Sequence, residues 1–318
     1  KISQTPSHFN PKHIFISNEN NIWISGDQQQ DLLMYDGKNF QKFNKTNGFS
    51  GDNINCFMQD RANNMYFGTQ GFGLLKTGKQ LFISYTNVED LNTPSIFSVF
   101  KSESDLYVGM NKKGLLKFSE NKLGQLTFQK SYANESKGAS VIFKNNKNEI
   151  LFGSKKGVQK IQHDNLVDIP LPYLNEDTKA IVAIHQDKKN RYFFGSYGGG
   201  LLITDENFNL ITKFPKKINE IDDYVYTIDQ FESNKWYIGS NHGLFILSEK
   251  SPNVFEKSKV VISAPFSIST KDCFGNYWFA GLDFIYSYGK NGVKDFNKKN
   301  GLTSTVIYTL IADKFGNV

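Results

Sequence analysis

The chain of 318 residues predicts an all-β fold, a seven-bladed β-propeller of four-stranded antiparallel blades. Three observations carry this expectation. The stretch Asn47–Gly68, NGFSGDNINCFMQDRANNMYFG, has a close copy 253 residues later at Asn300–Val318, NGLTSTVIYTLIADKFGNV, with five weaker copies between them. That offset is six times about 42, the length of a propeller blade. An aromatic or large apolar residue recurs at Trp23, Tyr66, Tyr107, Leu151, Phe193, Tyr237 and Trp278, at steps of 43, 41, 44, 42, 44 and 41. Each copy also holds four short apolar runs divided by turn residues. None shows a sustained 3.6-residue period, so strands are expected and little helix.

Residues 1–11 are polar with two prolines and read as a lead-in or an added outer strand. The seven blades occupy 12–300. In the second copy the four runs are Ile54–Met58, Met65–Phe67, Gly73–Lys76 and Leu81–Tyr85. Residues 301–318 begin an eighth copy, which either closes the ring or starts a further blade or a second propeller; the seven complete copies before it favour a second propeller. Two positions behind each aromatic anchor stands a small residue: Ser25, Gly68, Gly109, Gly153, Gly195, Gly239 and Ala280. It suits the crowded inner part of a blade, where sheets converge, while the anchor fills the wider gap. The anchors are therefore expected to be buried between blades.

Six positions ahead of the anchor comes Asp60, Asn145, Asp187 or Asp272, with Asp313 in the incomplete copy. An Asx side chain can accept hydrogen bonds from backbone amides ahead of it, and a following Gly or Asn tolerates a left-handed backbone, so Asp60-Arg61-Ala62-Asn63-Asn64 reads as a tight hairpin. Copies one, three and six depart here, with Ser17, Lys101 and Phe231. The second spacer is glycine-rich, as in Ser196-Tyr197-Gly198-Gly199-Gly200, and lets the chain reverse close to its neighbours.

Composition narrows the classes. Aromatic content is 14 %, with 28 Phe and 15 Tyr, which favours pleated sheets. No apolar run approaches the roughly 18 residues of a membrane span, and the chain begins at Lys1 without a signal peptide, as a mature or excised fragment would. Net charge is +6, but only Arg61 and Arg191 are arginines. Scattered lysines solubilise; without clusters interleaved with aromatics they do not form a nucleic-acid surface. Cys56 falls in a strand and Cys273 in a turn of a different repeat, which leaves the redox compartment open.

Catalytic constellations were sought and none emerges. His8, His13, His163, His185 and His242 include no pair at metal-ligand spacing, and two cysteines make no structural zinc site, so neither metal nor cofactor is expected. Ser196–Gly200 lacks the Lys-Ser/Thr ending of a phosphate loop and reads as a plain turn. Two arginines are too few for a sialidase carboxylate clamp. Asp177, Asp222, Asp223 and Asp283 could supply a glycosidase pair, but loop acids are usually only solvated.

At the level of the repeat, the chain resembles the two-component regulator propeller family. The resemblance rests on Asn20-Asn21-Ile22-Trp23-Ile24, Asn63-Asn64-Met65-Tyr66-Phe67-Gly68-Thr69 and Gly275-Asn276-Tyr277-Trp278-Phe279. It extends to Gly199-Gly200-Leu201, to Tyr35-Asp36-Gly37, and to the Gly-Leu element seen as Gly48-Phe49 and Gly301-Leu302. It implies the periplasmic sensor half of a Bacteroidetes-type hybrid two-component histidine kinase, an inner-membrane protein. Such a sensor half has two seven-bladed propellers and an immunoglobulin-like domain, followed by a membrane helix, a kinase and a response regulator. Its inputs are oligosaccharides and its output is transcription of polysaccharide-utilisation genes. The implied partners are an oligosaccharide, the adjacent second propeller and membrane-proximal domain of the same chain, and a second receptor copy in a homodimer. Nucleic acid is not among them.

The family motif is structural and transfers no ligand residues, so a site is sought by geometry. In a propeller the loops joining strand two to three, and strand four to the next blade, share one rim. Carbohydrate is held by aromatic faces with amide and carboxylate hydrogen bonds. That rim would carry Phe72, Asn111, Tyr197, Asn241, His242, Asp283 and Phe284, with Tyr224 from an inter-blade loop. A ligand-sensing domain is the leading reading. A protein-interaction scaffold, or a propeller glycosidase or lyase, stands as the alternative.

Overall fold

The computed structural model describes residues 9, 11–26, 32–44, 49, 53–60, 63–71, 73–77, 82–85, 95–103, 105–110, 114–121, 126–132, 138–171, 173–175, 178, 180–214, 224–258, 261–262, 268–281, 284–289, 292–296, 307, 310, 312 and 318. Seven four-stranded antiparallel sheets follow one another in chain order, the blades of a seven-bladed β-propeller. Blade one is β1 (Pro11–Ile16), β2 (Ile22–Gly26), β3 (Leu32–Tyr35) and β4 (Phe40–Phe43). Blade two is β5 (Ile54–Gln59), β6 (Met65–Thr69), β7 (Leu74–Thr77) and β8 (Phe82–Tyr85). Blade three is β9 (Ile96–Ser102), β10 (Asp105–Met110), β11 (Gly114–Glu120) and β12 (Leu126–Tyr132). Blade four is β13 (Ala139–Lys144), β14 (Ile150–Ser154), β15 (Gly157–Gln162) and β16 (Asn165–Ile169). Blade five is β17 (Ile181–Gln186), β18 (Tyr192–Ser196), β19 (Gly200–Thr204) and β20 (Leu210–Phe214). Blade six is β21 (Val225–Glu232), β22 (Lys235–Ser240), β23 (Gly243–Ser251) and β24 (Val254–Lys257). Blade seven is β25 (Ile268–Lys271), β26 (Tyr277–Ala280), β27 (Ile285–Gly289) and β28 (Gly292–Phe296). No helix occurs among the described residues. The chain divides into two compact units, one built on blades one to three and the other on blades four to seven.

Within each unit the second strand of a blade is buried on both faces, and its alternation decides what it touches. The anchor faces the following blade, and its two neighbours face the preceding one. Trp23 packs edge-on against Phe67 at 5.5 Å, and Tyr66 shares a core cluster with Ile96, Leu106 and Val108. In the second unit Leu151 meets Tyr192 and Phe194, Phe193 stacks on Trp236 at 4.7 Å, and Tyr237 meets Tyr277 at 4.4 Å. Trp278 departs from the expected burial. It is only half-buried, its Nε1 donates to Asp272 Oδ2 at 2.9 Å, and its ring leans on Phe296 at 5.2 Å. Its face is the one that packs on a following sheet, and within its unit blade seven is the last.

In blades four and five the small residue behind the anchor is a backbone requirement. A Cβ on Gly153 would sit 2.6 Å from the Ile181 carbonyl oxygen, and one on Gly195 would sit 2.6 Å from that of Val225. Both oxygens belong to the first strand of the next blade. The blades thus approach main chain to main chain at this point, and glycine is what permits it.

The Asx hairpins form as expected. Asp187 Oδ1 accepts the amides of Lys189 and Arg191 at 2.8 and 3.0 Å, and Asp272 Oδ1 those of Phe274 and Asn276 at 3.0 and 2.8 Å. The left-handed residue is Asn63, Asn148, Asn190 or Gly275, at φ between 62° and 85°. Copy one departs in residue but not in structure: Ser17 Oγ accepts the Asn21 amide at 3.2 Å, and Asn20 is left-handed at φ 64°. Copies three and six have shorter turns, so Lys101 and Phe231 lie inside their strands.

Those two copies carry a different device. Glu120 and Glu249 lie equally far past the glycines that open their third strands, Gly114 and Gly243. Glu120 is contacted by Lys76 and Lys101, and accepts the Tyr66 hydroxyl at 3.0 Å; Lys101 reaches Asp60 at 2.8 Å. Glu249 accepts both terminal nitrogens of Arg191, at 2.6 and 2.8 Å, while Arg191 Nε donates to Asp187 at 2.9 Å. Both groups are shielded from water: Lys76 and Asp60 are 2 % and 3 % exposed in their side chains with Glu120 and Lys101 at 10 % and 13 %, and Arg191 and Glu249 are 5 % and 4 %. Hydrogen bonds from Arg191, opposed by burial, hold the Glu249 carboxyl down to about 2.

Two outcomes follow. Tyr66→Ala should lower unfolding free energy by about 3–5 kcal/mol, the range for truncating a fully buried aromatic, and Trp278→Ala should cost less; denaturant midpoints check the order. The depressed pKa of Glu249 gives stabilisation that is complete above about 4.5 and lost as pH falls towards 2. Glu249→Ala should cost up to about 3–5 kcal/mol near neutral pH, since it removes one of the two carboxylates of the buried Arg191 guanidinium and leaves Asp187 alone. It should also flatten the acid limb of a urea-midpoint profile.

Candidate functional site

In the second unit, the turns that join second to third strands of blades five and six bring four of the expected site residues together. The β18–β19 turn is pinned from beneath. Ser196 Oγ donates to the Thr178 carbonyl and accepts the Gly199 amide at 3.0 Å, and the Tyr197 amide donates to Ala180 O at 2.7 Å. A Cβ on Gly199 would lie 2.5 Å from Leu174 Cδ2 and 2.8 Å from Thr178 O, so the turn is pressed against the segment before β17. With Gly198 left-handed at φ 102°, the chain reverses there and leaves Tyr197 projecting, 51 % exposed.

The β22–β23 turn fixes the partner. The Asn241 amide donates to Tyr224 O at 3.1 Å, and Asn241 Oδ1 accepts the Tyr224 amide at 3.4 Å. Asn241 therefore clamps the residue that precedes β21. Tyr197 and Tyr224 form an isolated antiparallel bridge between the two blades, and their rings meet edge to face at 4.5 Å. Tyr226 joins them at 6.3 Å from Tyr197 and 6.5 Å from Tyr224, the latter pair stacked at 19°. Burial, with the Tyr197 and Tyr224 phenols beside it, raises the Tyr226 hydroxyl above its ordinary range, so it remains a neutral donor near pH 7. His242 follows in the turn, exposed, its amide on Ser240 Oγ at 3.3 Å.

Tyr226 was not among the residues expected from sequence. The available signal was its two-residue spacing from Tyr224, which places both rings on one side of a strand. Phe284 is not part of this rim group. It is half-buried, packs into the cluster of Tyr237, Leu244, Ile262, Tyr277 and Phe279, and lies 5.3 Å from Tyr286. Phe72, Asn111 and Asp283 lie outside the described residues, as do Asp177, Asp222 and Asp223.

The arrangement presents three aromatic rings with their hydroxyls and a clamped amide turn. This surface suits an amphipathic ring with apolar C–H faces and polar edges. At the opposite end of the same blades, a cleft is lined by Asp187, Lys188, Lys189, Gln230, Phe231, Glu232 and Ser233. Asp187 and Lys189 there are committed to Arg191 and Glu249. Among the described residues, no three His, Cys, Asp or Glu side chains are placed to hold a metal ion. Both cysteines are free.

Comparison with known proteins agrees with the fold and with the repeat. Residues 48–71 match the sequence model of the two component regulator propeller family, independent support for the resemblance at its strongest copy. No curated protein sequence matches the chain. Among solved structures, a streptogramin B lyase superposes with a TM-score of 0.62 at 13 % identity, over 87 % of this chain and 92 % of that one. A catalytically inactive virginiamycin B lyase from Staphylococcus aureus, crystallised with quinupristin, gives 0.59 at 15 % identity, over 87 % and 93 %. The extracellular domain assigned to a hybrid two component system of B. thetaiotaomicron gives 0.41 at 16 % identity. It covers 96 % of this chain, which spans 47 % of that domain. At these identities the likeness to the two lyases is one of fold.

Proposed function

We propose that this chain is a ligand-sensing, extracytoplasmic propeller of a hybrid two-component sensor, which binds an oligosaccharide without turning it over and so regulates polysaccharide-utilisation genes. The observation that carries the reading is the solvent-facing cluster of Tyr197, Tyr224 and Tyr226, held by two clamped turns in a chain whose second repeat matches the regulator-propeller family. Aromatic faces with neutral hydroxyls suit sugar rings, and the cluster offers no nucleophile paired with a base. Likeness to the lyases is one of architecture, and propellers host unrelated functions. In this reading the chain is the periplasmic part of an inner-membrane protein and works beside a second propeller and a membrane-proximal domain, in a dimeric receptor. Binding shifts a signalling equilibrium only by its differential affinity for the two states, so the ligand must also sense the junction with the next domain.

Calorimetry of the chain in its full-length ectodomain, against a panel of oligosaccharides, should give saturable binding with the glycan recovered intact. Measurable cleavage, or tight binding of a protein with no glycan bound, would remove this reading.

A further inference from the structure

The first strand of a blade contains an irregularity that recurs. In six blades one extra residue is inserted opposite the end of the second strand: Lys12, Asn55, Phe97, Ser140, Val182 and Tyr226. The corresponding residues of blade seven lie outside the described ones. A β-bulge of this kind re-aims a side chain out of the regular alternation. Here it lets the preceding residue stay in the core (Ile54, Ile96, Ala139, Ile181 and Val225 are all buried) while the bulged residue is turned away from it. None of the six bulged side chains is buried, and Phe97 is 42 % exposed.

Residue type separates this position from its neighbours. The anchor is aromatic in six of seven copies, and the residue behind it is always Gly, Ala or Ser, because packing requires it. The bulged position holds six different side chains in six blades: cationic, amide, aromatic, hydroxyl, aliphatic and phenolic. A position that only built the blade would repeat itself as the anchors do. In the second unit, Ser140, Val182 and Tyr226 open the neighbouring strands β13, β17 and β21, at the end where Tyr197 and Tyr224 meet.

We infer that in blades four to six the bulged residue of the first strand is the ligand-reading position: Tyr226 offers the stacking face for a pyranose ring while Val182 and Ser140 select its substituents. This rests on the glycan-binding reading above and names the residues that carry it.

The test uses the full-length ectodomain carrying Tyr226→Ala, Tyr226→Phe, Val182→Trp and, at the other end of the blades, Phe274→Ser, a residue 72 % exposed. The probe is a panel of gluco-, xylo-, manno- and galacto-configured oligosaccharides with their uronate counterparts, followed by calorimetry, with melting temperature as the folding control. Tyr226→Ala should weaken the best glycan by about tenfold or more, as loss of a central aromatic contact does. Tyr226→Phe should stay within about threefold, because the stacking face survives. Val182→Trp should abolish binding or change which glycan binds, and Phe274→Ser should change nothing. Where Tyr226→Ala fails to fold, Val182→Trp decides. Unchanged affinity and selectivity in folded Tyr226→Ala and Val182→Trp chains, with the parent binding a glycan, overturns this inference and leaves the sensing function standing. A parent that binds no glycan overturns both.

Discussion

Everything in this fold depends on how closely one blade's backbone can approach the next. At Gly153 and Gly195 the second strand runs against a carbonyl oxygen of the following blade, with no room for a side chain. That contact sets the spacing at the crowded edge. The anchor two residues earlier then fills a gap of fixed width, which is why it is aromatic or leucine. The flanking residues of the same strand, such as Tyr192 and Phe194, fill the gap on the other face. One glycine and one large ring, repeated about every 42 residues, therefore specify both local conformation and packing between sheets.

This explains what could be read from sequence. Anchors, glycines and Asx turns are local and repeat in register, so the number and order of blades were legible. Ser17 looked like a departure but forms the same turn, because a hydroxyl can accept the same amide. Trp278 matches its motif, yet burial depends on a neighbouring sheet and not on the motif. Lys101 was visible only as a break in the pattern. Its meaning comes from Asp60 and Glu120, which topology alone brings to it.

The rim was legible in part for a related reason. Loop position placed Tyr197, Tyr224, Asn241 and His242 at one end of two neighbouring blades. It passed over Tyr226, which its spacing from Tyr224 hinted at and which lies at a bulge within a strand, and it could not show that Phe284 turns inward to a cluster of tyrosines. Register shifts are set by pairing with the opposite strand, and no property of the residues in VYTID announces one.

The glutamates of blades three and six have a mechanical consequence. Blade two is tied to blade three by Lys76–Glu120 and Lys101–Asp60, and blade five to blade six by Arg191–Glu249, so parting either pair of sheets breaks shielded ion pairs. Between blades four and five the corresponding end holds amide hydrogen bonds, such as Asn146 to Gln186 and Asn190, and an ion pair, Lys147–Glu206, that is half exposed to water. Within each unit, sheets joined in this way act as a doublet. Within each unit, local opening is therefore expected to begin at seams that lack such ions, and force delivered to one blade of a doublet passes first to its partner.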